Sequence, residues 1–263
     1  LVAVSFFYPR VAVTIFGLLS FWALREFVTL TPTRSGDHRA LFWIFFFFTP
    51  MQFVLVCFDK YGLYSVLIPV YAFLFIAARV AFSGDFERFL ERVAKVQSGL
   101  MLCVYCLSFA PALLFLKCEE MTSPYDNAEL LFFFITIALV ADLLQFIWNR
   151  LYGRHVIAPK VDGQKTWEGI LGGAVSTAVV GAGLSWATPF PHWYQAIAMS
   201  LLIALMTSAG SMTMAVIKRD RGEPATETLV EGHGGVLSRI DGICFAAPVF
   251  YHVTRYFFGA AVG

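Results

Sequence analysis

Residues 218–241 read KRDRGEPATETLVEGHGGVLSRID, the longest polar run in a chain that is otherwise mostly apolar. The run lies between two long apolar segments. It carries Lys218, Arg219, Arg221 and Arg239 together with a tight Gly232-His233-Gly234-Gly235. Cations beside a glycine-rich turn suit a phosphate, because charge and backbone N–H groups can both approach it. The same run also reads as a solvated loop after a membrane helix, with its basic residues there for topology alone. Spacing leaves both readings open.

Outside this run the composition is that of a membrane protein. Of 263 residues 59% are hydrophobic and 28 are Phe. Only 14% are charged, against about 25% in a soluble domain. A spanning helix needs about 20 mostly apolar residues. Eight segments qualify, near 11–29, 40–58, 61–82, 98–117, 128–148, 168–188, 193–216 and 240–258. The expected fold is therefore all-α and polytopic, with about eight transmembrane helices in one membrane-embedded domain over 1–263. Pro69 and Pro111 fall inside segments three and four and are expected to kink them. Residues 84–97 place Phe86, Phe89, Leu90 and Val93 at helical spacing with charges opposite. This predicts an amphipathic helix at the membrane interface, although a connector helix packed on the protein fits equally.

Lys and Arg set the orientation. With the N-terminus outside, all but Arg10, Lys60, Lys117 and Arg255 fall on the inner side. That puts both termini outside and the polar loops in the cytoplasm. The opening segment carries Arg10 in mid-run and has no clear cleavage site, so no cleavable signal peptide is expected. A net charge of +1 points to no nucleic-acid partner. Five scattered cysteines read as small buried side chains rather than as a disulfide framework.

Ser208-Ala-Gly-Ser211, Lys218-Arg219, Gly222, Gly232-His-Gly-Gly-Val-Leu237 and Arg239-Ile-Asp241 together resemble the C-terminal signature of the phosphatidate cytidylyltransferases, or CDP-diacylglycerol synthases. A second block, RHVIAPKVDGQKTWEG over 154–169, looks like the same family's cytoplasmic loop, with Pro159 and Lys165-Thr-Trp-Glu-Gly169 in place. The resemblance covers most of the chain. It implies helices 1–127 as a supporting part and 128–263 as the catalytic part. It also implies CTP and phosphatidic acid, or a related lipid phosphate, as substrates, Mg2+ as cofactor, a homodimer, and residence in a bacterial inner membrane. This chain departs from the pattern at two acids expected to ligate the metal, where Ser211 and Ser238 stand. The family's Lys-Asp after the Lys-Arg pair falls on Pro224-Ala225, and its Ser-Pro-Lys falls on Asp162-Gly163-Gln164. A hydroxyl is a poor substitute for a carboxylate around magnesium. An impaired member that binds lipid or nucleotide, or acts as a membrane partner, is therefore the alternative. A transporter would show inverted repeats and paired broken helices, and the sequence has neither.

Asp142, near the inner end of segment five, is the first candidate site residue, since a carboxylate at that depth is costly unless it works or is paired. A structural salt bridge to Arg150 or Lys165 is its plain explanation. Lys165, Thr166 and Glu168 open segment six, where N–H groups at a helix start attract phosphate; Glu168 also suits the helix dipole. Gly169, Gly172, Gly173, Gly181 and Gly183 read as close helix contacts. The resemblance adds phosphate contacts from Lys218, Arg219 and Arg239 and substrate contacts from Arg154. It also makes His233, Gly234 and Gly235 the shapers of the nucleotide site, and Asp142 and Asp241 the metal ligands.

Overall fold

Inside a bilayer a backbone can satisfy its polar groups only as helix or closed barrel, and the apolar runs of this chain are helical throughout. The structure is a computed structural model that describes residues 2–30, 37–118, 125–222 and 235–259. A short helix, Val2–Phe7, comes first. It leads to α1 (Pro9–Leu30), α2 (His38–Cys57), α3 (Tyr61–Ala81), α4 (Phe89–Phe115) and α5 (Asp126–Tyr152). The remaining helices are α6 (Trp167–Gly183), α7 (Trp193–Asp220) and α8 (Val236–Phe258). All of α1–α8 except α6 are long and apolar enough to cross a membrane. α6 has 17 residues, which is the lower end of the spanning range of about 17–25. The expected all-α polytopic membrane protein is what the chain forms.

Two local features differ from expectation. The separate interfacial helix over 84–97 does not form. The helix starts at Phe89 and runs into α4 without a break. Its inner face is packed on protein, not on lipid: Val93 and Val96 are buried, and Arg92 is clamped by Asp37 and Asp85. Only Phe86 and Leu90 point outward. A small antiparallel hairpin, β1 (Val156–Ala158) and β2 (Asp162–Thr166), stands between α5 and α6, with Val156 opposite Thr166 and Ala158 opposite Asp162. No strand was expected there.

Proline lacks a backbone N–H and its ring crowds the carbonyl four residues back. Around Pro69, α3 widens into a π-helical turn at Leu67–Ala72. Widening also occurs ahead of Pro50, at Ile44–Phe48, and ahead of Pro111, at Met101–Cys106. Wide turns of this kind absorb irregularities in an α-helix.

α8 is the hub of the bundle, packed on α7, α4, α1 and α5, while α5, α6 and α7 form a second close set. Small residues make the close approach possible. A Cβ on Gly173 of α6 would stand 2.9 Å from the Gln145 Cα of α5, and one on Gly210 of α7 would stand 2.6 Å from the Asp241 carbonyl of α8. Gly183, by contrast, faces open space. All five cysteines are free thiols. Trp22, Phe46, Leu74, Leu139 and Val179 are exposed on the outer faces, as suits helices solvated by lipid.

Candidate active site

The polar residues of α5 repeat at helical spacing. Asp142, Gln145 and Asn149 stand at i, i+3 and i+7, so they share one face. That face borders a cavity of about 600 Å3, closed on its other sides by the β1–β2 hairpin and by Ser211 of α7. Asp142, Gln145, Asn149, Arg150, Asp162, Lys165 and Ser211 all line it.

Asn149 fixes the mouth of this cavity. Its Oδ1 accepts from the Thr166 backbone N–H at 3.0 Å and from the Thr166 hydroxyl at 2.8 Å. Thr166 Oγ1 in turn accepts from the Gly169 N–H at 3.1 Å, which makes Thr166 the N-cap of α6. A cap of this kind satisfies one of the donors left over at a helix start. Glu168 lies on the other side of the loop. Its Oε2 accepts from the backbone N–H groups of Arg154 and His155 at 3.3 and 3.1 Å, and its Oε1 meets His155 Nδ1. Thr166 and Glu168 therefore build the loop, and Arg154 is exposed away from the cavity. Of the candidates in this block, Lys165 is the one whose charge enters the cavity as a working group.

Lys165 donates to the Ser211 hydroxyl. Burial holds its pKa below the ordinary lysine value, while the nearby carboxylates of Asp241, Asp162 and Asp142 pull the other way. Asp142 makes no ion pair within 4 Å among the described residues, so the plain salt-bridge explanation does not hold. Its Oδ2 lies against Gly242, 3.4 Å from where a Cβ would stand, and so reaches the first turns of α8. Asp241 is buried there, its Oδ1 2.7 Å from the Gly242 N–H. The structure thus brings Asp142, Asp162, Asp241 and Lys165 together across α5, the hairpin and α8.

The α7–α8 junction holds the other candidates. Lys218 donates to the Ser238 hydroxyl at 2.6 Å, and Arg219 and Arg239 are exposed at the facing helix ends. His233 and Gly234 lie outside the described residues, as do Glu223, Glu227 and Glu231. Gly235 is the N-cap of α8, but the place is not open to a phosphate. The Glu26 carboxylate of α1 fills the space a Gly235 side chain would take, and it accepts from the Leu237 N–H at 3.2 Å. A carboxylate at that end also suits the helix dipole.

Both serines that stand in place of family acids are thus bound to a lysine, Ser211 to Lys165 and Ser238 to Lys218. Among the described residues no group of three or more His, Cys, Asp or Glu side chains could hold a metal ion. Mg2+, however, usually keeps several waters and takes only one or two carboxylates plus substrate phosphates. Asp142 and Asp241 suit a magnesium ion shared with a triphosphate, and do not form a cage of their own.

Gln145, Asn149 and Asp162 were not foreseen as part of the site. The polar i, i+3, i+7 stripe on an apolar helix was the available signal for the first two. Nothing local marks Glu26.

Comparison with known proteins places this geometry among relatives. A model of the "Cytidylyltransferase family" matches residues 1–257. The uncharacterized protein YnbB of Escherichia coli (strain K12) is 33% identical over 249 residues, covering 94% of this chain and 80% of that one. A phosphatidate cytidylyltransferase of Haemophilus influenzae is 30% identical over 164 residues, 58% of this chain and 54% of its own length. One from Synechocystis is 33% identical over 113 residues, 43% and 38% of the two lengths. The matches to these two named enzymes thus span about half of their length or less.

Proposed function

The chain belongs to the cytidylyltransferase family, and on that premise we propose that it transfers CMP from CTP to phosphatidic acid or a related lipid phosphate. A phosphate oxygen of the lipid forms a bond to the α-phosphorus of CTP. The bond from that phosphorus to the bridging oxygen breaks, and pyrophosphate leaves with the electron pair. CDP-diacylglycerol remains in the membrane.

The observation that carries this reading is the cavity between α5, the hairpin and α7, where Lys165 stands among Asp142, Asp162 and Asp241. It opens at the polar end of three membrane helices, where a charged nucleotide and a lipid headgroup can meet. Lys165 neutralises phosphate charge inside, and Lys218, Arg219 and Arg239 do so at the α7–α8 junction. Such fixed charges stabilise phosphoryl-type transition states with little covalent work. Asp142 and Asp241 would hold Mg2+, which supplies further charge neutralisation on the triphosphate. In this reading α1–α4 support α5–α8 in one membrane-embedded domain, which sits in a bacterial inner membrane with the hairpin and the α7–α8 loop facing the cytoplasm. A homodimer and the absence of a nucleic-acid partner complete it.

The lysine-bound serines favour a second reading, in which the chain binds lipid phosphate or nucleotide without turnover. One assay separates the two: CDP-lipid formation from labelled CTP and phosphatidic acid, with magnesium, in detergent micelles. The unaltered chain is expected to be active. Activity that appears only in Ser211→Asp/Ser238→Asp would establish the second reading.

A further inference from the structure

Gln145 is 6% exposed and lines the cavity, yet it has no place in the chemistry above. Its Oε1 accepts from the Ser208 hydroxyl at 2.9 Å, which fixes the orientation of the amide. That leaves Nε2, a buried donor, with no hydrogen-bond partner among the described residues. Buried donors are nearly always paired, so an unpaired one bordering a cavity marks an acceptor that arrives with a ligand.

Depth and charge identify the acceptor. α5 has 27 residues and is about 40 Å long, close to a whole bilayer with its headgroup layers. Gln145 lies seven residues before the end of α5 at Tyr152, or about 10 Å inward. The headgroup layer is only about 5–8 Å deep on each side. Gln145 therefore sits just below the headgroups, at the level where a glycerolipid carries its ester groups. A nucleotide remains nearer the polar mouth, with Lys165, Arg150 and the hairpin. The amide is also neutral, whereas a phosphate is drawn to the lysines and arginines.

We propose that Gln145 Nε2 donates a hydrogen bond to an ester carbonyl of the lipid substrate, making it the residue that selects acyl-ester lipids at this site. This rests on the reading of the cavity as a lipid-phosphate site. Ser208 is its positioning residue.

The test compares short-chain diacyl phosphatidic acid with its dialkyl-ether counterpart, which lacks the carbonyls. Binding of each to the purified chain in detergent is measured by native mass spectrometry, and CMP transfer is measured separately. The unaltered chain is expected to bind the diacyl lipid about fivefold more tightly, the range of one neutral hydrogen bond. Gln145→Leu binds the two alike, with its KM for CTP unchanged. A preference that survives in Gln145→Leu overturns the proposal. So does a loss that falls on CTP, or an unaltered chain that binds both lipids equally or neither. Should Gln145→Leu fail to fold, Ser208→Ala takes its place: it releases the amide and is expected to reduce the preference to about twofold, and an unchanged preference there also overturns the proposal. A preference that follows Gln145 with no CMP transfer in any sample keeps this inference and removes the transferase reading. CMP transfer without ester preference does the reverse.

Discussion

Two buried basic side chains in this protein are surrounded by acids, and they are treated in opposite ways. Arg92 is saturated. Its Nε lies 2.9 and 3.2 Å from the two Asp37 oxygens, its Nη2 lies 2.6 Å from Asp37 Oδ1, and its Nη1 reaches Asp85 Oδ2 and the Asp85 carbonyl, both at 2.9 Å. A planar guanidinium offers five donors in a fixed fork, which matches this paired recognition. Lys165 has three carboxylates around it, yet its hydrogen bond goes to a neutral hydroxyl. The first cluster is closed and ties the start of α2 to the start of α4. The second keeps its charges apart around a cavity. Burial of charge alone does not separate a clamp from a site; whether the charges have already met does.

The sharpest way to break this comparison is to remove the clamp. Arg92→Met leaves the Asp37 carboxylate buried without its partner, and loss of one member of a buried pair costs about 3–5 kcal/mol. Thermal unfolding in detergent should show a large fall in melting temperature. CMP transfer per folded molecule should be unchanged, because Arg92 is remote from the cavity. A small fall would mean that the pair is solvated in practice and that the contrast with Lys165 is overstated.

Lys165→Met should give the opposite pattern. Removing one fixed charge that stabilises a transition state typically costs about 10²–10³-fold in rate. CMP transfer should drop by that order, while the melting temperature shifts far less than in Arg92→Met. Equal losses in both measurements would make Lys165 another clamp.

How much of this was legible beforehand depended on the range of each interaction. The helices were legible because about 20 apolar residues in a row admit one solution in lipid. Phe89–Gln97 was read as a helix, correctly, but not as part of α4, since 3.6-residue periodicity is the same whether the apolar face meets lipid or protein. Lys165 and Asp142 could be singled out as charges in costly places. Thr166 and Glu168 sat in the recognised block, but their bonds to Asn149 and His155 form only when the hairpin folds back on α5. Glu26 reaches Leu237 across 211 residues, and no local pattern could have paired them. Gln145 was noticed only as a departure from a family pattern, because its significance lies in an atom that has no partner.

The smallest expected effect sharpens the comparison through pH. Burial holds the pKa of Lys165 below the ordinary lysine value of about 10.5, whereas Arg92 stays charged throughout. Between the lowered value and the ordinary one, the unfolded chain binds a proton at this position that the native chain has released. Stability therefore rises with pH across that window. Below it both states are protonated, and the cost of burying the ammonium is fully present and constant. Phosphate binding should move the other way, since the cation that attracts the phosphate is lost as pH climbs through the lowered value. Melting temperature and affinity for phosphatidic acid, measured together from neutral to alkaline pH, should thus diverge in the unaltered chain. In Lys165→Met the part of each slope due to this group should vanish. A divergence that persists in Lys165→Met would move the titrating group elsewhere and remove the electrostatic distinction between the clamp and the site.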